Sequence, residues 1–275
     1  MPKIIVVSDQ HLGYENSNAV DFKRFLEYVY SIKNDVESIV ILGDFVDMWR
    51  RDASGVFLES SDIVSSLLTL KSANINLYFV AGNHDYHVLR LLNKYPFDFL
   101  KELVLPVAGG SLKCRFKHGW EYDLAQQPPI MEMLCHNMSD DTGGALSNLY
   151  SVLLHLKDHI SGLSDLINYH GGKEGYIKHL MTKPEARLEP YLSDVEKKAL
   201  SDVKSGERLV FGHTHKPFVS RDMRLVNSGS WVKDQETIYS NFNTFVDIDG
   251  NQVRLMQFKG INEIIDITSE KTKDV

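Results

Sequence analysis

Apolar runs that stop abruptly at polar residues recur along this chain. Lys3 to Val7 is a β-branched run that reads as a buried strand, and it ends at Ser8-Asp9-Gln10-His11. Phe22, Phe25, Leu26 and Val29 then recur at helical spacing and predict a helix over 19–32. Ser38 to Leu42 predicts a second strand, ending at Gly43-Asp44-Phe45-Val46-Asp47. Ile63, Leu67 and Leu70 share one face of a helix expected over 58–70. A third strand over 76–81 delivers Gly82-Asn83-His84-Asp85, with a helix expected from Tyr86. On a continuing strand, Asp9 and His11 point to the same side. Three strand–helix alternations argue for a parallel sheet with right-handed crossovers, and such sheets place ligands beyond the carboxyl ends of their strands.

The second half is organised differently. Ser111 to Phe116 predicts a fourth strand, ending at Lys117-His118-Gly119. From 124 to 205 no strand signal stands out. Leu146, Leu149, Leu153 and Leu156 form one helical stripe, and Leu163, Leu166 and Ile167 form another after Gly162. This stretch reads as a helical cap of about eighty residues. Strand character returns at 208–211, ending at Gly212-His213-Thr214-His215, and again after Leu225. Strands over 244–248 and 253–258 are expected to pair through a hairpin turn at Asp249-Gly250-Asn251. The Lys-rich tail from Lys271 is expected to fray. The division is a core of residues 1–122 and 206–275, with a helical cap insertion over 123–205.

Composition narrows the function classes. The chain has 275 residues, 43% of them hydrophobic, enough for one large core with an insertion. A formal charge of -7, from 30 Lys and Arg against 37 Asp and Glu, disfavours a general nucleic-acid binder. Two distant cysteines, Cys114 and Cys135, read as reduced thiols, and neither a leader nor a membrane span is evident in the sequence. The expected location is cytoplasmic, with peripheral membrane contact through the cap left open, as is the oligomeric state.

The chemistry collects at the strand ends: Asp9, His11, Asp44, Asp47, Asn83, His84, His118, His213 and His215. A mixed set of carboxylate, imidazole and one amide oxygen suits Mn²⁺ first, with Fe²⁺ and Zn²⁺ also accommodated. The donors outnumber those of one tetrahedral ion, so two divalent metal ions are expected, with a carboxylate such as Asp44 bridging them. Two ions about 3.5–4 Å apart can clamp the attacking and leaving oxygens of a phosphoryl displacement. Taken singly, Asp9 or Asp85 would cap a helix. His155 and His159 have metal-site spacing but lie opposite the leucine stripe and read as a solvated face, and Cys135 lacks the partners of a nucleophile. Arg50 and Arg51 are either a solvated pair or a grip on a second phosphate or carboxylate of the substrate.

Asp-x-His, Gly-Asp-x-x-Asp, Gly-Asn-His-Asp, a later His-Gly and Gly-His-x-His occur in this order over residues 9–215. Together they resemble the calcineurin-like metallophosphoesterase superfamily. The resemblance implies an α/β (α+β) fold, a four-layer αββα sandwich of two mixed sheets flanked by helices. It also implies a first ion held by Asp9, His11 and His215 and a second by Asn83, His118 and His213, with Asp44 between them. His84 would then serve the leaving group or the transition-state charge, with Asp47 hydrogen-bonded to its imidazole and raising its pKa. Gly-Asp-Phe-Val-Asp-Met-Trp, His-Gly-x-x-Tyr-Asp and the helical insert are most similar to UDP-2,3-diacylglucosamine pyrophosphatases. That likeness implies hydrolysis of a phosphoester or of a nucleotide- or lipid-linked pyrophosphate. Two departures stand against it, since those enzymes usually carry Arg at the position of His84 and Asp at that of Trp120. Ser8 to Tyr14 is similar to the opening motif of repair exonucleases, which makes a DNA phosphodiesterase the alternative. An inactive scaffold ranks third, because no motif position is missing.

Overall fold

The computed structural model describes residues 3–91, 97–107, 112–123, 185–233 and 242–275. The leucine stripes of the insertion, together with Cys135, His155 and His159, lie outside these residues. Strand β1 (Lys3–Val7) runs parallel to β2 (Val36–Leu42), which is followed by β3 (Asn76–Val80) and the short β4 (Asp98–Leu100). On the other side of β1, β10 (Thr244–Asp249), β11 (Gln252–Gly260) and β12 (Glu263–Asp266) add as antiparallel neighbours. The turn between β10 and β11 is Gly250-Asn251, and Gly250 has φ +56°, which glycine adopts without steric cost. A second sheet runs β13 (Thr272–Lys273), β8 (Phe218–Ser220), β9 (Leu225–Asn227), β7 (Glu207–Phe211), β6 (Lys113–Phe116) and β5 (Leu103–Pro106).

The period-two alternation of the strands explains why these sheets stack. Ile4 and Val6 of β1 face inward with Val40, Leu42 and Val80, and they meet Cys114, Phe116, Val210 and Val226 of the second sheet. The intervening Ile5 and Val7 face the other way. They pack with Phe22, Phe25, Leu26 and Val29 of helix α1 (Ala19–Ser31) and around Trp231, Phe245 and Phe258. The outer face of the second sheet, through Leu209, Phe211 and Leu225, packs on Tyr122, Val195 and Ala199. Helix, sheet, sheet and helix thus form the four layers. Among the described residues no helix is long and apolar enough to cross a membrane.

Several elements differ from the expectations. The helix expected over 58–70 is two helices, α2 (Ala53–Glu59) and α3 (Ser61–Ser72), separated at Ser60. Asp52 opens the first by accepting the Gly55 N–H, so this helix starts earlier than apolar spacing alone indicates. After His84 the chain forms a 3₁₀ stretch (Tyr86–Leu91), not an α-helix. The tail does not fray: α6 (Thr268–Lys271) leads into β13, which pairs with β8, and Lys273 binds Glu196. Helix α4 (Trp120–Asp123) contacts α5 (Glu185–Ser201), whose Val195 and Ala199 pack on the second sheet.

Candidate metal centre

The chemistry-bearing turns stand side by side because their strands do. Asp9 follows β1, Asp44 follows β2 and Asn83 follows β3, three parallel neighbours of the first sheet. His118 follows β6 and His213 follows β7, parallel neighbours of the second. Backbone hydrogen bonds then stitch the turns together. Asp9 N donates to Gly43 O at 3.0 Å, His11 N to Asp44 O at 2.8 Å and Gly212 N to His118 O at 2.8 Å.

Asp9 and His11 are not on a strand continuation. Both have left-handed backbones, φ 55° and 47°, as do Asp44 (51°), His213 (65°) and His215 (58°). Each such residue costs about 1–3 kcal/mol in isolation, so the surrounding turns must over-determine it. Gly82 meets a related demand. A Cβ there would collide with Asp44 N and Oδ1 and would stand 2.9 Å from its Cγ, so glycine lets two ligand-bearing turns touch.

The side chains form three groups able to reach one ion, of which the group His11, Asp44 and His84 shares a member with each of the other two. Asp9, His11 and His215 offer ligand atoms within one ion's reach, as do Asp44, His118 and His213. Asp44 lies between the groups: its Oδ2 is 3.6 Å from His11 Nε2 and 3.2 Å from His118 Nε2. Its Oδ1 is already used, accepting the His84 N–H at 2.9 Å. Asp9 divides its oxygens likewise. Oδ2 accepts the His213 N–H at 3.0 Å, while Oδ1 is buried without a hydrogen-bond partner, 3.2 Å from His215 Nε2. His118 Nδ1 donates to Leu42 O at 2.8 Å, and its buried Nε2 faces Asp44 Oδ2 without a hydrogen-bond partner. Orphaned Asp9 Oδ1 and His118 Nε2, both aimed into the cluster, fit a divalent cation, which would satisfy each at once.

Electrostatics agree with that fit. Burial works against ionised Asp44, yet His118, His84 and His11 hold its carboxyl well below the usual range. Burial likewise opposes a charged His118, but Asp44 and Asp9 outweigh it and lift the imidazole to about 10, so that without an ion Nε2 holds a proton that a bound cation would displace. The cluster therefore attracts positive charge. Burial dominates at His11 and keeps its imidazole below the ordinary value despite Asp47, as suits a neutral ligand nitrogen.

Asp47 sits at the junction of the remaining groups. Its Oδ1 is 2.9 Å from His84 Nδ1, the partnership expected from the sequence, and its Oδ2 is 3.0 Å from His11 Nδ1. Burial opposes protonated His84, but Asp44 and Asp47 raise it above the ordinary value. Arg50 binds Asp47 Oδ2 and lies over the Tyr14 ring at 4.5 Å, whereas Arg51 turns to Glu59. The two arginines are therefore not a pair at the site. Trp120 is buried and meets Tyr86 edge to face at 6.1 Å.

Sequence reasoning missed two residues. Asp85 does not cap a helix. Its fully buried carboxyl accepts the Phe45 N–H and the Gly82 N–H, each at 2.7 Å, and so ties the Asp44 turn to the Asn83 turn. Burial, reinforced by Asp44, pushes it up to about 7. Trp49 stacks on His84 with ring centroids 4.2 Å apart and planes at 23°. Its place two residues after the Gly-Asp-x-x-Asp motif was the available signal for it.

Known proteins resemble the chain in part and in whole. It is 31% identical over 86 residues to a UDP-2,3-diacylglucosamine hydrolase of Stutzerimonas stutzeri, 31% of this chain and 34% of that one. It is 34% identical over 83 residues to the enzyme of that name from Proteus mirabilis, 30% and 33% of the two chains. These matches thus span about a third of the relatives' length. A dimetal phosphatase from Danio rerio aligns over 97% of this chain and 98% of its own, with 13% identity and a TM-score of 0.48. A family model described as calcineurin-like phosphoesterase matches residues 2–250. The chain belongs to the calcineurin-like phosphoesterase family.

Proposed function

We propose that the protein hydrolyses phosphoester or pyrophosphate bonds with two divalent ions, Mn²⁺ first among them. The observation that carries this reading is Asp44 Oδ2, placed 3.6 Å and 3.2 Å from imidazole nitrogens of two separate ligand groups. Asp9, His11 and His215 would hold one ion and Asn83, His118 and His213 the other, with Asp44 shared. Bound there, the ions supply Lewis acidity toward the phosphoryl oxygens and an acidified water as nucleophile.

The chain's own residues do the rest. Asp47 accepts from His84 Nδ1 and favours the protonated ring, so Nε2 carries the transferable proton. As the bond from phosphorus to the leaving oxygen breaks, its electron pair stays on that oxygen and the Nε2 proton neutralises it. Arg50, half-exposed and anchored on Asp47, would grip a second phosphate or a carboxylate of the substrate. Arg51 contributes less, being held by Glu59. Substrate choice is assigned to the insertion at 123–205, and the names of the partial relatives favour a nucleotide-linked lipid pyrophosphate.

A panel with Mn²⁺ tests the reading: a phosphomonoester, a phosphodiester, a nucleoside-diphosphate lipid and DNA. Preferential cleavage of the nucleoside-diphosphate lipid supports it in full. Preferential DNA degradation at physiological salt would replace it with the nuclease reading, and inertness toward all four would contradict it.

A further inference from the structure

We infer that Trp49 is a positioning residue for His84, fixing the imidazole so that Nε2 is presented to the leaving group; this rests on the proposed phosphoester reading. The hydrogen bond from His84 Nδ1 to Asp47, 2.9 Å long, leaves a ring free to rock about that axis. Two neighbours remove the freedom. The Trp49 indole covers one face, centroids 4.2 Å apart and planes at 23°, and His11 meets the ring edge-on at 4.8 Å and 84°. Trp49 also holds the other partner. Its backbone N–H donates to Asp47 Oδ1 at 3.2 Å, the same oxygen that binds His84. One residue therefore fixes both the carboxylate and the plane of the ring.

The plate is itself immobile. Trp49 is 6% exposed and packs in the core formed by the helices and the first sheet.

The test compares Trp49→Leu, Trp49→Phe, His84→Ala and the double variant on aryl phosphodiesters whose leaving groups run from p-nitrophenol to phenol. A misplaced proton donor matters most for the poorer leaving group. Trp49→Leu is expected to lower kcat about tenfold on the phenyl ester and under about threefold on the p-nitrophenyl ester, with KM and metal content unchanged. Trp49→Phe keeps a ring over His84 and restores most of the loss. In the His84→Ala background Trp49→Leu has no further effect, because the two act as one unit. The same loss along the whole series, or an undiminished loss without His84, would overturn the inference. The proposed function is separable: if His84→Ala itself shows no leaving-group dependence, the proton-donor role fails and takes the inference with it. If Trp49→Leu does not fold, the wild-type proton spectrum decides. His84 ring protons shifted upfield by the indole support the stack, and unshifted ones refute it.

Discussion

Asp47 satisfies three side chains with two oxygens, and this sets what each of them can do. Oδ2 takes His11 Nδ1 and Arg50, while Oδ1 takes His84 Nδ1. In the proposed reading, His11 Nε2, 3.2 Å from His215 Nε2, would face an ion, and His84 Nε2, on the more exposed ring, would face substrate. Replacing His84 by Ala should lower kcat about 10²–10⁴-fold. Metal content, read by elemental analysis, should stay at the wild-type level, because His84 is not among the proposed ligands. Loss of metal with that substitution would show that the role is wrongly assigned. Asp85 acts on the backbone. Changing it to Ala strips two buried N–H groups of their acceptor, at a cost of about 1–3 kcal/mol each. The melting temperature should fall and metal affinity weaken together; a change in neither would refute its role as the tie between the two turns.

At the scale of elements, the site depends on turns that approach more closely than most side chains permit. Gly82→Ala forces a methyl group against Asp44, and we expect at least about 1–3 kcal/mol of destabilisation with weakened metal binding. Asp202 links α5 to the second sheet, taking hydrogen bonds from Arg115, Lys117 and Tyr122. Burial raises its pKa, but those three partners prevail and hold it below the ordinary carboxylate value. Its contribution is therefore present above the ordinary carboxylate range and is lost as pH falls through the folded-state value. Asp202→Asn should lower stability at neutral pH by about 1 kcal/mol, with the difference from wild type vanishing in acid. A difference that persists at low pH would contradict this.

The contrast between legible and illegible elements has a physical cause. Runs such as Lys3–Val7 and Asn76–Val80 carry enough consecutive apolar residues to announce a buried strand. Strands of three or four residues, such as Asp98–Leu100, Leu103–Pro106 and Phe218–Ser220, complete no pattern. Asp9, His11 and Asp44 could be placed at strand ends, but their left-handed backbones are imposed by neighbouring turns and leave no mark in the sequence. The Trp49–His84 stack and the hydrogen bond from Phe45 to Asp85 arise from contacts across 35 and 40 residues of chain, which no local pattern encodes.

For the whole molecule, two sheets present their ligand turns to one another, so ion binding should couple to the stability of the sandwich. Saturation at 100 times Kd adds about 2.7 kcal/mol per ion, and the melting temperature should rise with Mn²⁺ concentration. Replacing residues 124–184 by a short linker should change substrate preference more than metal affinity, since the described ligand turns belong to the sheets; equal loss of both would refute a selective role for the insertion. The central claim is that two ions share Asp44, and titration of metal-stripped protein with Mn²⁺ addresses it most directly, with turnover of a chromogenic phosphodiester followed in the same samples. The account predicts two equivalents bound, no turnover before addition, and full turnover only once both are in place. One equivalent at full activity, or turnover in the stripped protein, would contradict it.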